Sequence, residues 1–322
     1  MILAGIDEAG YGPVLGPLVV GLASFRTSPE EGNDLWQRLA GAVESRIAAS
    51  GPEAGGLPVL DSKQLYKSGQ DLAPLETVAL SFSCFASGGL PRTAGDFLGL
   101  HCDREGLQLE RYPWYAESLP SLPLPLRAGT DAILRAAERL RLRADSAGVE
   151  PVLLRLRPLL TGEFNRLTRR AGSKAKVLFD QNASLIEDLV RRHRPVRILC
   201  DRHGGRRRYG ALIEAAFPMA RVKILSEERE RASYQVGEPD GGFKLTFQVK
   251  GEQHGLEVAL ASILAKYTRE LFMAAFNHHF AGIAPGIRRT AGYYTDGHRF
   301  LTDLEQSGAF PSDHRELLVR CK

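Results

Sequence analysis

The chain has 322 residues, 43% of them hydrophobic, and its 42 basic and 38 acidic side chains leave a formal charge of +4. That is enough chain for one large core or two ordinary ones, and a charge that permits a polyanionic partner without naming one. Four scattered cysteines (Cys84, Cys102, Cys200, Cys321) without a Cys-x-x-Cys pair argue against a zinc site or a disulfide framework, and no run of 18 apolar residues occurs, so the expectation is a soluble, cytoplasmic protein with no membrane partner.

In chain order, residues 2–6 and 15–26 predict two strands joined by a glycine turn, since no helical period appears in them. Leu35, Leu39, Val43 and Ile47 at four-residue spacing predict a helix over 30–49. A Gly/Pro patch at 51–58 leads to DSKQL at 61–65, and 77–86 reads as a strand. Residues 88–127, rich in Gly, Pro and aromatics, read as an irregular insertion. A helix is predicted over 130–147, capped by Thr130 or Asp131, and a strand over 151–160. The second half alternates: helix 174–192, strand 196–200, helix 209–216, strand 221–226, then a hairpin of 233–236 and 243–249 around GEPDGG. A long helix over 256–280 follows. Strands first and alternation afterwards predict an α/β chain with a mixed sheet flanked by helices.

Chemistry enters with GIDEAGYGP. Asp7 and Glu8 close an apolar run, where buried acids destabilise a strand unless something compensates their charge. Adjacent strand residues point to opposite faces, so the two share a site only if the strand ends or distorts there, and the AGYGP turn supplies the ending. Two hard cations about 4 Å apart need several oxygen ligands drawn from different segments. Asp201 closes the run VRILC ahead of Gly204-Gly205, at the strand edge where α/β sheets place chemistry. Glu252 follows FKLTFQVK at the entrance to the long helix. Taken singly, each acid is more simply a turn or capping residue; the joint pattern is what points to a metal site.

The order of these words is similar to that in the type 2 ribonucleases H, the ribonuclease HII family. GIDEAGYGPVLGPLVVG resembles its opening strand with Asp-Glu-Ala-Gly-Arg-Gly-Pro, DSKQL its Asp-Ser-Lys element, and ILCDRHGG its strand-end Asp. KGEQHGLEVALASILAKYTRE resembles its Lys-Ala-Asp…Ala-Ser-Ile-x-Ala-Lys-x-x-Arg-Asp helix, AGYYTDGH its Gly-Tyr-Gly-Thr-x-x-His element, and PSDHREL its Pro-x-His-Arg. The resemblance spans nearly the whole chain. It implies a single ribonuclease H-like domain over 1–322, with a mixed five-stranded central sheet and insertions at about 88–127 and 226–248. It also implies metal-dependent cleavage of the RNA strand in RNA–DNA hybrids or ribonucleotide-containing duplexes. Asp7, Glu8, Asp201 and Glu252 fall on the four metal-site acids, and two Mg²⁺ or Mn²⁺ ions are implied with them. Gly10, Tyr11 and Gly12, with Tyr293, fall on the elements expected to grip the 2′-hydroxyl beside the cut.

Two departures matter. Tyr11 stands where the family has arginine, so a cationic phosphate contact is lost, and Glu252 stands where it has aspartate, an added reach of about 1.5 Å. Lys63 and Lys266 are candidate phosphate contacts, Lys266 being equally readable as a solvated helix face. Arg206, with Arg207, Arg208, Arg288 and Arg289, could track a backbone. His298 and the pair His278-His279 read as structural or surface, and Trp36 and Trp114 as packing. Two alternatives stay open: a nucleic-acid-binding relative that no longer cuts, and a nuclease with a different nucleic-acid substrate. No protein partner is indicated.

Overall fold

In the computed structural model, which describes residues 1–28, 34–45, 55–238 and 241–321, the opening apolar run becomes strand β1 (Ile2–Ala9). The other strands of its sheet are β2 (Leu18–Arg26), β3 (Glu150–Leu159), β4 (Val196–Asp201), β5 (Val222–Glu227), β6 (Arg231–Val236) and β7 (Phe243–Gln248). They lie in the order β3-β2-β1-β4-β7-β6-β5. β1 and β4 pair in parallel, as do β4 and β7, while β2 and β3 on one flank and β6 and β5 on the other are antiparallel. The α/β class and the mixed sheet are as expected, but the sheet has seven strands rather than five. Residues 226–248 supply β6 and the interior strand β7, which pairs directly with β4.

Besides several single-turn helices, the described residues form α1 (Ala73–Ser87), α2 (Ala94–His101), α3 (Thr130–Ala147), α4 (Thr161–Ala171), α5 (Lys174–Val190), α6 (Gly210–Ala216), α7 (Leu256–Ile283) and α8 (Tyr294–Gln306). They cover both faces of the sheet. One core gathers α1, α2, α3 and α7 around Leu3, Val19 and Phe25; the other gathers α4, α5 and α6 around Ile6, Val20 and Phe247. Alternate residues of β1 and β2 feed the two cores, as the two-residue strand period requires.

α7 fixes the site. Every residue from Leu256 to Arg269 is buried, and the helix lies directly on β1 at Gly5, where a Cβ would stand 2.2 Å from the Glu257 carbonyl carbon. Only glycine allows that approach.

Three sequence expectations need correction. The run 77–86, read as a strand, lies within helix α1; a short, largely apolar run fits a buried helix as well as a buried strand. Here Pro74 at its first turn and Gly88, left-handed at φ 78°, set helical ends. Of the helix read over 30–49, only Leu35–Arg38 is helical among the described residues. Gly41 (φ 90°) turns the chain into the short strand Val43–Glu44, paired with Leu57–Pro58. The remainder of that reading, 30–33 and 46–49, lies outside the described residues. Residues 88–127 are not irregular: α2 and the helical turns Pro113–Ala116 and Ser118–Ser121 bury Phe97, Trp114, Tyr115 and Leu119. Trp114 and Tyr115 pack edgewise on Phe276 and Phe272 of α7. α4 and α8 were not foreseen.

Glu76 of α1 ties this segment to α7. Its buried carboxylate accepts from the N–H groups of Leu126 (2.7 Å), Arg127 (2.6 Å) and Ala128 (2.8 Å) and from the Tyr267 hydroxyl (2.8 Å). Replacing Glu76 with leucine orphans all four donors at once. A loss of about 3–5 kcal/mol is expected, read as a lower denaturant midpoint with an unchanged slope.

Candidate active site

The strand does not end at residue 6 as expected. β1 stays paired with β2 through Asp7–Gly21, Glu8–Val20 and Ala9–Val19, whereas its pairing with β4 stops at Ile6–Cys200. The gap that opens between β1 and β4 is what lets two adjacent acids serve one place. Asp7 Oδ1 turns back onto the Glu8 N–H at 2.7 Å, and its carboxylate is also held by the Ser262 hydroxyl of α7. Asp201 closes β4, and its Oδ1 accepts from the Gly251 N–H at 2.9 Å. Glu252 lies one residue on, in the 3₁₀ turn Gly251–Gln253 between β7 and α7.

The electrostatics tie these groups together. Asp7 is pushed well above the usual carboxylate range by burial, then by the charges of Glu8 and Asp201. Glu8 is pushed up to about 7 by burial and by Asp201, with Lys63 pulling the other way. Asp201 and Glu252 are raised as well, burial first, and Lys63 opposes both shifts. Like charges crowded away from water prefer to hold protons. Lys63 and Arg202 offset the charge of this acid cluster only in part, and divalent ions or protons must neutralise the rest.

All four acids line one open cavity of about 720 Å³, together with Gly10, Tyr11, Gly12, Lys63, Lys266 and Tyr293. Of the sequence-predicted candidates, the arginines Arg206, Arg207, Arg208, Arg288 and Arg289 are absent from the lining, although the charge of Arg206 acts on the Tyr11 phenol. Another cavity of about 740 Å³, along the outer edge of β3, contains none of them. Lys266 is neither a solvated face nor a free cation: it is buried, pairs with Glu270 at 2.6 Å and lies over the Tyr66 ring. Tyr293 caps α8, half exposed, with Arg269 5.5 Å below its ring. His298 packs on Tyr294 and Arg208 pairs with Glu227, both outside the cavity lining. Trp114 is buried as expected, and all four cysteines are free thiols. Sequence reasoning passed over Asp61, Ser62, Tyr66, Arg202 and Ser262, which also line the cavity. Asp61 and Ser62 sit in the quoted word DSKQL; the Ser62 and Ser262 hydroxyls meet at 3.0 Å and so join that word to α7.

Whether a divalent ion fits can be tested on the donors. Among the described residues no three His, Cys, Asp or Glu side chains converge on a single ion-binding point, and Asp7 and Asp201 each spend an oxygen on a backbone N–H. The donor set is nevertheless hard carboxylate oxygen from three chain segments around one cavity, which is the chemistry Mg²⁺ or Mn²⁺ requires.

No protein-family model matches the chain. Curated relatives do. A ribonuclease HII of Synechococcus sp. (strain JA-3-3Ab) is 37% identical over 97 residues, covering 27% of this chain and 42% of the relative. A ribonuclease HII of Limosilactobacillus fermentum is 40% identical over 70 residues, 22% of this chain and 26% of the relative. The chain thus spans less than half the length of these curated relatives. Among solved structures, the ribonuclease HII in a complex with PCNA from Archaeoglobus fulgidus aligns with 100% of this chain and 95% of its own, at 16% identity and a TM-score of 0.45. Ribonuclease H2 from Pyrococcus horikoshii aligns with 99% of this chain and 92% of its own, at 18% identity and a TM-score of 0.43. No described helix is long and apolar enough to cross a membrane.

Proposed function

We propose, on the premise that this chain is a relative of the ribonucleases HII, that it is an endonuclease hydrolysing the RNA strand of RNA–DNA hybrid duplexes with divalent metal ions. The observation that carries this reading is the meeting of Asp7, Glu8, Asp201 and Glu252, from three distant segments, around one cavity. These four carboxylates would hold two Mg²⁺ or Mn²⁺ ions, which when bound supply an activated water and charge stabilisation for the leaving 3′ oxygen. The chain's own residues do the rest. Ser262 and the Gly251 N–H orient Asp7 and Asp201, and Lys63 offsets part of the cluster's charge. The Gly10-Tyr11-Gly12 backbone and Tyr293 border the cavity where a sugar would lie. Lys266 is committed to Glu270, so phosphate contact falls to Lys63 and Arg206 instead.

A second reading, a relative that binds nucleic acid without cutting it, draws on Tyr11 in place of arginine and on the carboxylates turned to backbone. One assay separates the two. The purified chain with Mg²⁺ or Mn²⁺ is given a uniform hybrid, a duplex with one embedded ribonucleotide, an RNA duplex and a DNA duplex. Hybrid cleavage leaving 3′-hydroxyl ends is expected. Binding of all four without turnover establishes the second reading, and cleavage of DNA duplex alone a different substrate class.

A further inference from the structure

The Gly10–Gly16 loop is held from beneath by the last residues of the chain. Arg320, buried, donates from Nη1 to the Gly10 carbonyl at 2.5 Å and from Nε to the Gly16 carbonyl at 2.8 Å, and its N–H bonds the Val14 carbonyl at 2.9 Å. One residue thus grips both ends and the middle of the loop. Arg269, wholly buried in α7, joins the loop to the Tyr293 segment through Leu15 O at 3.1 Å and Ala291 O at 2.9 Å, and Gly292 O accepts from Val14 and Leu15. Gly10 cannot be another residue: its φ is 83°, and a Cβ would stand 2.6 Å from Arg269.

The direction of one peptide follows. The Gly10–Tyr11 bond is trans, cis bonds among the described residues being confined to Leu124-Pro125 and Arg194-Pro195. In a trans peptide the C=O and the next N–H point opposite ways. With the Gly10 carbonyl drawn down onto buried Arg320, the Tyr11 N–H points out toward the cavity, and it has no acceptor among the described residues. The Arg320 cation bound to the Gly10 carbonyl also polarises that N–H. Burial and neighbouring Arg269 press the Arg320 guanidinium down to about 9, which leaves it cationic at neutral pH.

We propose that Arg320 is a positioning residue for ribose recognition: it locks the Gly10–Tyr11 peptide so that the Tyr11 N–H donates to the 2′-oxygen of a bound ribonucleotide. This rests on the hybrid-cleaving reading above. A lysine replaces it only in part, since one ammonium lacks the fork that spans the Gly10 and Gly16 carbonyls.

The test measures dissociation constants for a duplex with one embedded ribonucleotide and for its all-DNA twin, in full-length chain carrying Asp201→Asn so that substrate survives. Arg320→Met is expected to reduce the ribonucleotide preference roughly tenfold, about the worth of one hydrogen bond, and Arg320→Lys by a smaller factor of roughly three. Leu140→Ala, a core change in α3, lowers the melting temperature without moving the ratio. A preference unchanged within about twofold in both Arg320 variants, or no ribonucleotide preference before Arg320 is altered, overturns the proposal. Should Arg320→Met not fold, the lysine variant decides alone. Absence of cleavage by the unaltered chain removes the nuclease reading, while the binding ratio still judges Arg320 independently.

Discussion

Asp201→Asn is expected to slow hybrid cleavage by about a thousandfold or more, the factor that follows from several kcal/mol of lost metal-borne charge stabilisation. The substitution is a clean one here. Asparagine keeps an oxygen for the Gly251 N–H, so the turn that carries Glu252 stays in place and only a charge is removed. Because Asp201 is one of the charges that raise Asp7 and Glu8, its neutralisation also relieves repulsion in the ion-free protein. The melting temperature without metal should therefore hold or rise while activity disappears. Single-turnover rates and thermal melts on the same preparation check both halves, and a variant keeping a tenth of the original rate removes Asp201 from the chemistry.

The second large effect is an inverted pH dependence of stability. Glu8 is raised from 4.5 to about 7 by burial and by Asp201, and Asp7 moves the same way. An acid whose folded value lies above its unfolded one binds its proton more tightly when folded. Its contribution is complete below pH 4.5 and is lost as pH climbs through 7. The metal-free protein should therefore gain stability between pH 8 and pH 5, the reverse of a salt-bridged carboxylate. Divalent ions compete with those protons, so Mn²⁺ should raise the melting temperature by roughly 5 °C or more at pH 8, at about a hundred times its dissociation constant. At pH 5 it should do almost nothing. Glu8→Gln should flatten both trends. Melting curves over this range with and without Mn²⁺ decide it, and a metal effect equal at the two pH values defeats the argument.

Asp7, Glu8 and Asp201 were legible in the sequence because they close runs of apolar residues, where such placements are costly without a purpose, and Glu252 because it stands between a strand and the long helix. Their meeting was legible only through the order of several short words, since periodicity says nothing about which strand ends lie together. The reason Asp7 and Glu8 can cooperate was not legible: it lies in where β4 stops pairing with β1, a register fact. α1 was misread because VALSFSCFA is mostly apolar, and its buried serines Ser81 and Ser83 alternate with Leu80 and Phe82 as in a strand. Lys266 was misjudged for a similar reason. α7 is enclosed on every side from Leu256 to Arg269, so a lysine there is no mark of solvent. Arg320 offered no local signal at all, as its partners Gly10 and Gly16 sit at the other terminus.

The sheath that Trp114, Tyr115 and Leu119 lay over α7 bears on how far the protein can be trimmed. Excising 88–127 to make a minimal enzyme would strip a flank of Phe272, Phe276 and Phe280 into water, and freshly bared aromatic surface of that kind recruits other copies of itself. The same helix supplies Ser262 and Arg269, so the damage would travel to the cleft. Miniaturisation of this scaffold must therefore begin by repainting that helix with polar residues, before a single loop is shortened.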